Sequence, residues 1–576
     1  MDRLGWDQLD VLLVSGDAYV DHPSFAMALL GRLLIAHGFR TGVITQPRWD
    51  TPEDFLAMGR PRLFAGIGAG ALDSMLAHYT AFRKKRSDDA YTPGGLAGAR
   101  PNRACIVYTN LVHRAFPGLP VVLGGIEASL RRITHYDFWS DKLRKPIILD
   151  AKADMVVYGM GERALVEIAR RLDTGQELAG ICGTVMVDAP VPEGVEVEKL
   201  PGHGSMLADP FLLMQATLTM ERLVHQGNRW ATQQVGQRTV VLAPPAAPLD
   251  EKEMDGLYAL SYARKAHPLY TRPIPAESMI RDSITSHRGC GGGCSFCTLA
   301  LHQGRKISSR SRASILNEVD AMVRMPGFKG NISDVGGPSA NMWGGQCTRP
   351  KGPCRRPSCM TPTLCSHFRV DQKAHLRLLR AVRHRPGIRN VRVASGVRFD
   401  LALRDLKTLR GYLDDFVGGQ LKIAPEHICD HVLKLMRKPG HKLFEEFLDI
   451  FARQTARAGK KQYVIPYLMS GFPGTTSKDM HALAHWLGMR GWRPRQVQCF
   501  IPIPGAVATA MFYTRRALDG TPIFVARTDG ERMRQHGILA PSRPSGRRKH
   551  APASRPASRT RTKSSGRSRG PRKTTR

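Results

Sequence analysis

Nowhere does this sequence run for about 18 uncharged apolar residues, which excludes a membrane-spanning helix. Its first residues, MDRLGWDQLD, lack the basic-then-apolar order of a secretory leader. A cytoplasmic protein with no membrane partner is the expectation. In that compartment the eleven cysteines suit metal ligands or buried thiols better than disulfides. Acidic residues are scarce, with 49 Asp and Glu against 85 Lys and Arg and a formal net charge of +36. Aromatics make up only 7%, too few for a platform that stacks single-stranded bases between basic side chains.

What is present is a long chain, unevenly charged. At 576 residues it exceeds one ordinary domain. Residues 541–576 hold thirteen Lys and Arg and no acid, and the remainder stays basic without them. From about 535 the chain loses apolar periodicity, so 535–576 is expected to be a disordered basic tail. The basic surface and tail suit contact with nucleic acid, although net charge speaks to association and not to chemistry.

Residues 1–245 alternate apolar runs that end in Gly with helical patterns. DVLLVSG, TGVITQP, RACIVYT (103–109), LPVVLGG and ADMVVYGMGE read as strands. That alternation predicts an α/β domain with a doubly wound parallel sheet. In such a sheet ligands lie beyond the carboxyl ends of the strands, where SGDAYVDHPSF, GGIEASLRR and GMGER fall. The Pro-rich stretch LAPPAAPLD (242–250) reads as a linker or surface loop, and residues 246–272 as a linker and connecting helix. Residues 273–534 alternate again. Strand candidates ESMIRDSIT, GNISDVGG, VRVASGV, GQLKIAPE, KQYVIPYLMSG and RQVQCFIPIP predict a partial (β/α) barrel, with function on the loops after the strands.

After the first of those strands comes HRGCGGGCSFC. Cys290, Cys294 and Cys297 have the spacing C-x3-C-x2-C. Three thiolates on one loop can ligate three irons of a [4Fe–4S] cluster and leave the fourth open. Glycines allow the backbone to turn tightly and pass close to the inorganic core. No fourth Cys or His completes a zinc tetrahedron at familiar spacing.

This loop resembles the signature of radical S-adenosylmethionine (SAM) enzymes. The resemblance extends to GGIEASLRRITHYDFWSDKLR, DAKADMVVYGMGE, HQGRKISSRS, DVGGPSANM and KIAPEHICDHVLKLMRKPG. Together these look like the YgiQ-type radical SAM family, over residues 10 to 530. The resemblance implies a [4Fe–4S] cluster on Cys290, Cys294 and Cys297 whose open iron chelates SAM. It implies reductive cleavage to a 5′-deoxyadenosyl radical, acting on an unknown substrate, with an electron donor such as flavodoxin or ferredoxin. It places Phe296 beside the cofactor and Gly336 and Gly337 at the methionyl group. Ser395, Arg398 and Glu426 would lie within reach of SAM. Pro338 stands where many relatives carry an acidic residue.

A second group, CTRPKGPCRRPSCMTPTLC at 347–365, carries Cys347, Cys354, Cys359 and Cys365. Its spacing fits no common zinc finger, and it suits an auxiliary [4Fe–4S] cluster or a structural zinc. Strand ends of the first domain resemble cobalamin-binding domains, but VDHPSFA does not fit the histidine motif D-x-H-x-x-G, so cobalamin is not expected. Two alternatives accompany the radical SAM reading: a radical SAM enzyme that modifies RNA, and a metal-stabilised nucleic-acid-binding protein.

Overall fold

A computed structural model of the chain describes residues 1–350, 354–494 and 496–540. The expected basic tail lies outside the described residues from 541 onward.

Eleven strands form the first half: β1 Val11–Ser15, β2 Thr41–Thr45, β3 Phe64–Gly68, β4 Val121–Gly124, β5 His135–Asp137, β6 Lys142–Arg144, β7 Met155–Val157, β8 Thr184–Val187, β9 Val197–Leu200, β10 Trp230–Val235 and β11 Arg238–Leu242. Nine of them make one sheet in the order β2-β1-β3-β4-β7-β8-β11-β10-β9. The first five are parallel, and β8 and β11 pair antiparallel with their neighbours. The sheet is therefore mixed: antiparallel pairs join β7, β8, β11 and β10, and β9 pairs parallel to β10 at the far edge. β1 and β3 are buried along their whole length, as strands covered on both faces must be.

RACIVYT is not a strand. It opens the helix Ala104–Ala115, whose buried residues Ala104, Cys105, Tyr108, Thr109, Leu111 and Val112 repeat at helical spacing. Seven residues of a buried helical face read as a short apolar run, and the period emerges only over the full helix.

The second half contains β12 Ser283–Thr285, β13 His287–Arg288, β14 Ser308–Ser309, β15 Asn331–Ile332, β16 Asp334–Gly336, β17 Gln346–Cys347, β18 Phe368–Arg369, β19 Asn390–Val391, β20 Gln420–Glu426, β21 Tyr463–Ser470 and β22 Gln498–Cys499. Parallel pairing joins β12 to β16, β15 to β19, and β20 to β21 to β22. Helices follow most of these strands, and their apolar faces share one core with them. Side-chain caps start several helices; Thr476 and Asp479 form a capping box on Ser477–Met489.

The two halves are packed into one compact unit, Met1–Ala540. One core cluster runs from Leu12 and Leu123 of the sheet to Leu433, Phe472 and Phe512 of the barrel. Ion pairs bridge the same seam: Arg288 with Glu162, and Arg437 with Glu221 at 2.6 Å. The tail boundary expected at 535 falls inside the helix Asp529–Leu539, where Arg532, Gln535 and Leu539 are buried. Arg532 there packs on the Phe138 ring. The polar composition of this helix hid its single buried stripe from sequence reading.

Candidate functional site

The cysteine loop leaves β13 and is fastened on three sides. Cys290 N–H donates to the Gly304 carbonyl at 3.1 Å, and Cys297 N–H to the Cys294 carbonyl at 3.1 Å. Ser295 donates to Leu435 O through its hydroxyl and to Met436 O through its amide, at 2.7 and 3.1 Å. Gly293 takes φ +61°, a conformation most side chains avoid, with the Pro357 carbonyl in the space a Cβ would need.

Cys290, Cys294 and Cys297 are all free and half-buried. Gly292 lies against them. A Cβ there would stand 3.3 Å from Cys290 Sγ, 3.7 Å from Cys294 Sγ and 2.9 Å from Arg398 Nη1. Its N–H donates to Cys290 Sγ at 3.4 Å. Burial, then the neighbouring thiols, pushes the Cys297 thiol up to about 12, and burial raises Cys290 as well. A loop that gathers three buried thiols around a bare backbone fits a cluster whose core fills the space between them. Among the described residues no three His, Cys, Asp or Glu side chains surround a single point as ligands of one ion would. Thiols that each serve a different iron stand farther apart than that.

Arg398 and Glu426 reach this loop. Arg398 Nη1 lies 4.0 Å from Cys294 Sγ, and its guanidinium pairs with Asp400 at 2.6 Å. Burial works against its charge, but Asp400 and the thiols outweigh burial and hold its pKa above the ordinary range. Glu426 occupies an irregularity in the β20–β21 pairing at φ +70°. Burial raises its carboxyl pKa, opposed by Lys438 at 3.9 Å. Asp400 and Lys438 were not singled out in the sequence, because neither carries a spacing signal; only folding brings them beside a loop more than 100 residues away.

The other expected SAM contacts divide. Gly337 has the His287 ring and carbonyl in its Cβ space, at 2.6 to 2.8 Å. Gly336 has the Ser395 hydroxyl there. Ser395 donates through its amide and hydroxyl to Asp334 Oδ1 at 3.0 and 3.1 Å. What these positions display is close packing of strand ends. Phe296 packs edge-on against Phe472, with ring centroids 6.3 Å apart, and so ties the loop to the core.

The second cysteine group folds directly onto the first loop. Cys359 N–H donates to the Gly291 carbonyl at 2.9 Å, and Cys365 N–H to the Cys359 carbonyl at 2.8 Å. Ser358 donates its hydroxyl to the Gly292 carbonyl. Arg305 Nη2 lies 3.5 Å from Cys359 Sγ. Burial raises the Cys359 thiol, and Cys365 and Cys347 add to the shift. Cys347 is exposed on β17, whereas Cys354, beside residues outside the described set, is half-buried. The antiparallel β17–β18 pair holds Cys347 at the surface, while Cys359 and Cys365 lie against the first loop.

A cavity of about 490 Å³ separates the sheet from the barrel. The loops after β1, β4 and β7, picked out from the sequence, contribute Asp17, Gly124, Gly125, Gly159 and Glu162 to its wall. His22 of VDHPSFA is fully buried, and its Nδ1 accepts from the Ser24 amide at 3.1 Å.

Comparison with known proteins agrees with this geometry. The family model described as Radical SAM N-terminal matches residues 1–283, and that of the Radical SAM superfamily matches 284–487. A UPF0313 protein of Geobacter sulfurreducens is 50% identical, covering 95% of this chain and 92% of its own. One from Methanosarcina mazei is 43% identical, over 93% and 92%. Among solved structures, the radical SAM methyltransferase TsrM of Kitasatospora setae, with cobalamin and a [4Fe–4S] cluster bound, superposes with a TM-score of 0.50 at 16% identity. The match covers 91% of this chain and 81% of TsrM, a likeness of fold. No helix among the described residues is long and apolar enough to cross a membrane.

Proposed function

From membership of the UPF0313 family of radical SAM proteins, to which the chain belongs, we propose that it is an enzyme that cleaves SAM reductively to abstract hydrogen from a substrate. The observation that carries this reading is the arrangement of three half-buried thiols on one loop, with Gly292 packed against two of them and no fourth cysteine in the loop. Cys290, Cys294 and Cys297 would hold a [4Fe–4S] cluster. When bound, the cluster and SAM supply a 5′-deoxyadenosyl radical, and the cofactors carry the difficult chemistry.

The chain's own residues do the rest. Arg398 brings a permanent positive charge to the thiols, which favours their anionic form and that of any negative core between them. Asp400 fixes the guanidinium, leaving its Nη1 edge toward Cys294. The buried Glu426 and Lys438, 3.9 Å apart, add a carboxyl and an amino group near the same loop, suited to the amino and carboxylate groups of SAM. The helix that carries Met436 and Arg437, together with residues 354–365, walls off the outer side of the loop and excludes water.

The test is anaerobic reconstitution with iron and sulfide, reduction, and addition of SAM. The reading expects 5′-deoxyadenosine and methionine in equal amounts. Full cluster content with neither product contradicts it. An electron donor of the flavodoxin or ferredoxin type would replace the chemical reductant in the cell.

A further inference from the structure

A cavity of about 490 Å³ lies between sheet and barrel, and the cysteine loop does not itself explain it. We propose that it is the substrate chamber for the radical chemistry, and that it admits a small, largely apolar molecule lacking phosphate. This deepens the radical SAM reading and rests on it.

Position is the first argument. Thr285, His287 and Arg288, just before Cys290, line the cavity, and so do Leu299, His302 and Gln303, just after Cys297. Both ends of the cysteine loop therefore emerge in its wall, together with Gly337 of the second barrel strand. The opposite wall is the carboxyl edge of β1, β3, β4 and β7, around the point where strand order reverses and open sheets take their ligands.

Size and chemistry are the second. A volume of about 490 Å³ falls within the roughly 300–1,000 Å³ of sites that enclose small organic ligands. Leu13, Met27, Ile67, Val122, Leu123 and Leu165 make the sheet side apolar. The one Lys or Arg on the lining is Arg288, and Glu162 already neutralises it. Asp17 pairs with the buried Arg100 at 2.7 Å. Among the described residues this wall offers a phosphate no unpaired Lys or Arg, which disfavours a phosphorylated guest.

Gly124 provides the test. Its φ is −148°, open to any residue, and a Cβ there meets nothing within 4 Å. Gly124→Phe should fill the chamber without bending the backbone. Nile red, flat and uncharged, is titrated into the reconstituted full chain. Saturable binding near one per chain is expected, weakened more than tenfold in G124F at unchanged iron and sulfide content. Equal affinity in the two proteins overturns the proposal. In parallel, cells grown on deuterated medium supply an apolar extract, a phosphorylated-metabolite fraction and RNA. Deuterium should enter 5′-deoxyadenosine from the apolar extract and be lost in G124F. Transfer from the RNA or phosphorylated fraction overturns the proposal, as does a corrin absorbance retained by the purified protein. Product formation with dye binding unaffected by G124F removes the chamber alone. No 5′-deoxyadenosine at full cluster content removes the radical reading and the chamber's role together.

Discussion

A methyl group at position 292 would press on Arg398 and on two thiols at once, at 2.9 to 3.7 Å. Gly292→Ala is therefore expected to lower iron and sulfide per chain by more than half while leaving the apo-protein's melting temperature within a degree or two. Retained full cluster content would show that the thiols gather elsewhere. Arg398 offers a second residue-level test. Its side chain and that of Asp400 are about nine-tenths buried, so Arg398→Met strands a buried carboxylate. Breaking such a pair costs about 3–5 kcal/mol, and the double variant R398M/D400N should recover most of it in denaturant unfolding. The three cysteines were legible because spacing alone encodes them. Asp400 and Lys438 were not, because their meaning depends on which loop the fold brings near.

At the scale of elements, β1, β2, β4 and β7 were read as strands, β3 was passed over, and the helix Ala104–Ala115 and the start of ESMIRDSIT, which lies in the helix Pro275–Ile280, were misread. The strand runs are short and complete, whereas the helix Ala104–Ala115 shows its period only beyond the seven residues that caught the eye. The insertion at 347–365 was legible as cysteine-rich and irregular, but not as a buttress for the first loop. Ser358 makes that connection: it donates to the Gly292 carbonyl and accepts from the amides of Met360 and Thr361 at 3.0 Å each. Ser358→Ala leaves buried polar groups unpaired, a cost of about 1–3 kcal/mol. Faster hydrogen exchange in residues 354–365 and faster loss of iron under chelator are the expected outcomes. Unchanged exchange would show that the insertion is held by other contacts.

Across the whole molecule, sheet and barrel are joined by buried charge as well as by apolar packing, and the site lies in that seam. The alternation of strand and helix patterns marked out the two halves, whereas the sequence offered no pattern for Arg288–Glu162 or Arg437–Glu221. Acid should loosen the assembly. Burial holds the His135 and His375 pKa at about 3, with Arg131 and His287 as the next contributors. Unfolded histidines titrate near 6.5, so between these values the unfolded chain binds more protons than the folded one. Stability is complete above about 6.5 and falls as pH drops, by about 1.4 kcal/mol per histidine for each unit. Denaturant unfolding at pH 7 and pH 5 checks this, and H135Q/H375Q should lessen the dependence, the remainder coming from His225, His287, His302 and His427, which burial also lowers.

The central claim is that three cysteines leave one iron open to SAM. The most direct measurement is the electron paramagnetic resonance spectrum of the reduced, reconstituted protein with and without SAM labelled with ¹⁵N at its amino group. The account predicts a [4Fe–4S]⁺ signal that shifts on addition and acquires a ¹⁵N coupling, and that is missing from C290A/C294A/C297A. A cluster signal that ignores SAM, or one that survives removal of these cysteines, would contradict it.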